Sequence, residues 1–196
     1  MTGNNISEAG RQNLEQCYAV IQKHYGERKA RRSGQRYMSH IDEGLTALKI
    51  LGASWHTMGA WCLHPVVQSN AELLAVLKNG CLRDTPVESV ILAMEYRQWA
   101  NAHLSFHAPK PPEFGPCLEV KQMLIVDKIQ NRKDFEKYLF APGAIKNKDR
   151  LIEYFKEWFD ALSITNEQYL AIKDSMDQPS EGRKENDRKS RTKVGA

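Results

Sequence analysis

No apolar run in this chain of 196 residues approaches the roughly 20 residues a membrane-spanning helix needs, so a helical membrane protein is not expected. Cysteine is sparse: Cys17, Cys62, Cys81 and Cys117 are scattered, with no C-x-x-C pair. That speaks against a zinc-ribbon or thioredoxin-like motif and suits reduced thiols in a cytoplasmic chain. There is no glycine-rich phosphate loop, no nucleophile elbow, no internal repeat and no convincing strand alternation. The first residues, Met1 to Ser7, are polar, so a secretory signal is not expected either. The net charge of +4 is mild. It allows an anionic ligand without demanding nucleic acid.

What the chain does have is helical periodicity and enough length for one domain with a core; hydrophobic residues are 41% and charged residues 27%. Leu14, Cys17, Tyr18 and Ile21 recur at helical steps over residues 12–24, with Gly26 as the stop. Residues 37–51 carry Met38, Ile41, Leu45, Leu48 and Leu51 on one face, ended by Gly52. Ser54 can cap the next helix, which is expected to end with His64 because Pro65 lacks an amide hydrogen. A short helix over 71–77 is followed by a longer one over 86–105, with Val87, Val90, Ile91, Met94, Trp99 and Leu104 as its apolar stripe. Residues 118–135, 149–162 and 165–176 complete the set, the last capped by Thr165. The reading is an all-α bundle of about seven helices in one domain, residues 1–176, with a disordered charged tail over 177–196.

Three stretches carry candidate chemistry. In the helix over 118–135, Asp127 and Asn131 lie four apart, so a carboxylate and an amide share one face. His40 sits near the start of one helix and His64 at the expected end of another. Two histidines and an aspartate on helices can be ligands of one divalent metal, manganese or similar. The basic run Arg28, Lys29, Arg31 and Arg32 precedes His40. It reads either as a solvated loop or as a phosphate clamp, since arginine forks match phosphate oxygens. His103 and His107 are also four apart, but the prolines at 109, 111 and 112 place His107 beyond the helix end. Glu95 is a remote candidate for a base.

The order of these stretches resembles the HD superfamily of metal-dependent phosphohydrolases. It is most similar to the hydrolase domain of the RelA/SpoT family and its small stand-alone relatives, over roughly residues 12 to 170. Residues Gly34 to His40 look like the family's G-x-P-Y-x-x-H, with Arg36 in place of proline. Ala60 to His64 looks like the helix leading to the HD pair, and Asp127 to Asn131 is similar to A-D-[KR]-x-x-N. The resemblance implies an HD-like helical bundle, metal ligation by His40, His64 and Asp127, and nucleotide contacts from Arg31, Arg32, Asn131, Arg150 and Tyr154. The partner it implies is a nucleotide with phosphate or pyrophosphate groups, (p)ppGpp or a relative.

The departures fall in the chemistry. Pro65 stands where the family has the ligand aspartate, and Gln68 and Ser69 stand where it has a Glu-Asp pair. Neither can act as a carboxylate base. Three readings follow. One is a working metal-dependent phosphohydrolase. The second is a catalytically inactive nucleotide-binding module. The third is an interaction protein whose histidines are core residues and whose proline-rich loop over 108–116 serves a protein surface.

Overall fold

The computed structural model describes residues 7–30, 34–103, 115–139 and 148–177. The expected phosphate ligands Arg31 and Arg32, the second histidine His107, most of the proline-rich loop and the tail from 178 lie outside the described residues. Within them the fold is all-α. Eight α-helices are present, α1 Glu8–Tyr25, α2 Tyr37–Ile50, α3 Trp55–Val67, α4 Asn70–Asn79, α5 Val87–Ala102, α6 Leu118–Asp134, α7 Lys148–Leu162 and α8 Asn166–Asp177. A π-helical turn, Phe135–Leu139, extends α6. Among the described residues the one β-type pairing is an isolated bridge between Lys29 and Arg36. No described helix is long and apolar enough to cross a membrane.

Local chemistry sets most boundaries as the sequence implies. Ser54 accepts from the Thr57 amide at 3.2 Å and opens α3, and Thr165 accepts from the Gln168 amide at 3.2 Å and opens α8. Gly26 and Gly80 close α1 and α4 with φ of 52° and 67°, a region that costs glycine nothing. All four cysteines are free thiols.

The axis of the bundle is α3. Every residue from Thr57 to Val67 is buried, and the helix packs on α1, α2, α4, α5 and α6. A helix apolar on all sides can only be central. Its neighbours come close because the contact residues are small. A Cβ on Gly44 of α2 would stand 2.2 Å from the Trp61 ring, and one on Gly59 would stand 2.5 Å from Ser89 Oγ. Trp61 is held in that slot by donating its indole N–H to the Ile41 carbonyl at 3.2 Å.

Two expectations are corrected. The core face of α5 is Ser89, Ala93, Tyr96 and Ala100, while Val87 and Ile91 are 67% and 59% exposed. The reason is the same close packing: α5 lies against α3 through its small residues, which turns Val87 and Ile91 outward, while Val90, Met94 and Trp99 of the expected stripe stay half-buried against the core. The second correction concerns Pro65. Helix α3 does not stop there but runs on to Val67 with the proline inside. Proline removes only the bond its own amide would make to the carbonyl four residues back, that of Trp61. That carbonyl accepts from His64 Nδ1 instead, at 2.6 Å, so the helix continues with its acceptor satisfied.

Replacing Gly44 by alanine overpacks the Trp61 slot. The expected loss is about 3 kcal/mol of unfolding free energy, read as a lower midpoint in urea; an unchanged midpoint would mean that α2 and α3 are not held this closely.

Candidate functional site

Five helices meet at one polar cluster, buried at His64, Tyr96, Asp127, Lys128 and Tyr154, half-buried at His40 and exposed at Asn131. His40 comes from the first turn of α2, His64 from α3, Tyr96 from α5, Asp127, Lys128 and Asn131 from α6, and Tyr154 from α7. The Nε2 atoms of His40 and His64 are 3.3 Å apart. His64 Nδ1 carries the proton, because it donates to the Trp61 carbonyl, so its Nε2 presents a bare lone pair and His40 donates across the gap. Both imidazoles are held neutral. Burial lowers the affinity of His64 for a second proton and the neighbouring His40 lowers it further, down to about 3. Burial also lowers His40, against the pull of the Asp127 carboxylate.

Asp127 is engaged from three sides. The Lys128 ammonium lies 2.7 Å from Oδ2, the Asn131 amide donates to Oδ1 at 2.8 Å, and the Tyr96 hydroxyl hydrogen-bonds to the same carboxylate. Burial pushes the Asp127 pKa up, but Lys128 together with His40 and His64 outweighs it and the net shift is downward. Burial pushes Lys128 down, yet Asp127 raises it overall. The ammonium also donates to the Tyr154 hydroxyl at 3.2 Å and rests 4.7 Å from the Trp158 ring centre.

The expected ligand set His40, His64 and Asp127 is therefore gathered, but not as a metal site. Among the described residues no group of three or more His, Cys, Asp or Glu could hold a metal ion. The Pro65 side chain offers no donor atom, and both Asp127 oxygens are taken. The charge that a divalent cation would supply beside Asp127 is supplied by Lys128. The residues present do not fit a divalent metal.

The other sequence candidates have local partners. Ser69 is the N-cap of α4, closing a capping box with Glu72. Gln68 donates to Asn101 Oδ1 at 2.6 Å, and its carbonyl accepts from Arg97 Nε at 3.2 Å. Glu95 accepts from the Cys117 amide at 3.4 Å, at the start of α6. Arg150 pairs with Glu153 at 3.1 Å and Glu157 at 3.3 Å. His103, buried at the end of α5, faces Glu157 at 3.1 Å. Arg28 lies against the rings of Tyr25 and Tyr37 and caps α1 through the carbonyls of His24 and Tyr25.

Beside His40 the surface opens into a cavity of about 180 Å³. Its walls are Tyr25, Tyr37, Arg36, Glu43, Asp134 and Tyr138, among others. Tyr25 and Tyr37 stack with ring centres 5.0 Å apart. Sequence reasoning missed Lys128 as the partner of Asp127, Tyr96, and the Glu43–Lys133–Asp134 group on the cavity wall. The one available signal was two lysines and an acid inside an otherwise buried helix, since buried lysines are rare unless paired. Compared with known proteins, the chain matches no family model, no curated protein and no solved structure.

Two outcomes follow. Asp127→Asn leaves a buried ammonium without its counter-charge and is expected to cost about 3–5 kcal/mol, most of it recovered in Asp127→Asn/Lys128→Met, by urea unfolding. Acid sensitivity is the second. His64 binds its proton in the unfolded chain below pH 6.5 but in the fold only near 3. Its stabilising contribution is thus complete above 6.5 and lost progressively as pH falls toward 3. The Tm of the wild type is expected to fall from pH 6.5 to 4, with a shallower slope in His64→Gln; equal slopes would mean that the imidazole is not held neutral.

Proposed function

We propose that this protein binds a nucleotide carrying phosphate or pyrophosphate groups, (p)ppGpp or a relative, and does not hydrolyse it. The observation that carries the reading is the buried Asp127–Lys128 pair beneath the two histidines, 2.7 Å across. Hydrolysis by metal-activated water needs a cation with open coordination and a base. Here the single carboxylate is neutralised by an ammonium, and Gln68 and Ser69 serve as inter-helix tie and helix cap. Support for a nucleotide comes from the resemblance to HD phosphohydrolases and from the cavity beside His40. At about 180 Å³ it is smaller than the roughly 300 Å³ of a full ligand pocket, so it suits one ring system with the rest of the ligand outside. The stacked Tyr25 and Tyr37 offer such a ring an aromatic wall.

The test is a thermal-shift and product assay with ppGpp, GTP and a set of dNTPs, with Mn²⁺ and with chelator. Ligand at a hundredfold over Kd stabilises the folded state by about 2.7 kcal/mol. The expected result is a raised Tm in chelator with no phosphate or pyrophosphate released. Manganese-dependent release that is lost in Asp127→Asn would establish a hydrolase instead, and no shift with any nucleotide would remove the nucleotide reading.

A further inference from the structure

The turn between α2 and α3 lies at the other end of these helices from the His40–His64 contact, about 15 Å along α2. Three hydrogen bonds gather other elements around it. Ser89 of α5 donates to the His56 carbonyl at 3.1 Å. Gln122 of α6 donates to the Leu51 carbonyl at 3.0 Å, and the Cys117 amide donates to Glu95 of α5 at 3.4 Å. The start of α6 is thus held between α5 and the α2–α3 turn. Four large apolar side chains are left in water at this end: Ile50 at 57%, Val87 at 67%, Ile91 at 59% and Leu118 at 68% exposure. One comes from the end of α2, one from the start of α6 and two, four apart, from α5, so they form a strip with Leu118 in the middle. The ends of the strip carry opposite charge. Lys49 precedes Ile50 and Glu88 follows Val87, and both are exposed. Neither has an ion-pair partner among the described residues. A strip with one sign at each end does not select an anionic surface or a partner of a single charge. It is complementary to itself when turned through half a circle.

We propose that this end of the bundle pairs with the same end of a second copy of the chain, about a two-fold axis at Leu118. In a two-fold interface one patch meets itself, so each contact occurs twice with the roles exchanged. Leu118 then packs on its counterpart, and Ile50 of each copy meets Val87 and Ile91 of the other. Lys49 of each copy meets Glu88 of the other. Contiguous exposed apolar surface of this kind marks an interaction site, and the rim charges fix the register more than they add affinity. Four aliphatic side chains from each copy bury less than the roughly 800 Å² per partner of a standard interface, so the dimer is weak and reversible. The cavity beside His40 stays open in it, because that cavity is built from the start of α2 and the end of α6. The pairing therefore stands apart from the nucleotide reading.

The experiment is sedimentation equilibrium of the full chain over about 10 µM to 1 mM, where a weak dimer dissociates. It is repeated with Leu118→Asp, Lys49→Glu and the double reversal Lys49→Glu/Glu88→Lys. All three positions are exposed, and an acid in the first turn of α6 suits the helix dipole, so the variants keep the fold; a melting curve at low concentration checks this. The expected result is a concentration-dependent dimer in the wild type. In Leu118→Asp, where two carboxylates face each other across the axis, it dissociates at least roughly tenfold more readily. In Lys49→Glu it weakens about fivefold, and the double reversal restores it. A monomer at every concentration overturns the inference. So does a dimer that Leu118→Asp leaves as tight as the wild type, or a loss in Lys49→Glu that the second reversal does not restore.

Discussion

Asp127 and Lys128 are neighbours in the chain and partners in space, with both side chains almost wholly shielded from water. A carboxylate or an ammonium alone in that position would cost several kcal/mol of lost hydration, and only the mutual attraction and further hydrogen bonds offset it. The pair therefore dictates what stands around it. Tyr96 and Asn131 complete the carboxylate, and Tyr154 and the face of Trp158 complete the ammonium. These side chains come from α5, α6 and α7, and the imidazoles facing them come from α2 and α3. The electrostatic closure of one charge pair and the convergence of the helices are the same fact.

The segment from Trp61 to Ser69 departs from the pattern it resembles, and each departure has a structural role. Pro65 frees a carbonyl inside α3, His64 takes it, and that bond fixes which imidazole nitrogen faces His40. Gln68 ties the end of α3 to α5, and Ser69 starts α4 with a reciprocal cap. Gln68 and Ser69 thus hold three helices in register. A cluster with no net charge, no free carboxylate oxygen and two neutral imidazoles is suited to stability, and an open cavity lies next to it at His40.

The resemblance placed the interest at His40, His64 and Asp127, and the three do come together. What separated an expected metal centre from an ion-paired cluster was Lys128, which has the same helix and the same neighbours in sequence as Asp127. Consecutive residues on a helix point about 100° apart, so nothing in the spacing says that the ammonium folds back onto the carboxylate. Burial does: with the helix enclosed on several sides, the cation has no water to reach and turns to the nearest anion. Arg150, expected as a phosphate contact, is ion-paired for a related reason, since Glu153 and Glu157 lie on the same face of α7.

By itself the sequence determined the helical class, most helix limits and the apolar face of α2, because these follow from period, caps and glycine stops that act within a few residues. Tertiary structure alone decided the core face of α5, where close approach to α3 favours Ser89 and Ala93 over the bulkier Val87 and Ile91. It also decided the passage of α3 through Pro65, the partner of Asp127 and the grouping of Glu43 with Asp134 across α2 and α6. Each of these depends on which groups lose their water together, and that is set by packing between elements distant in the chain.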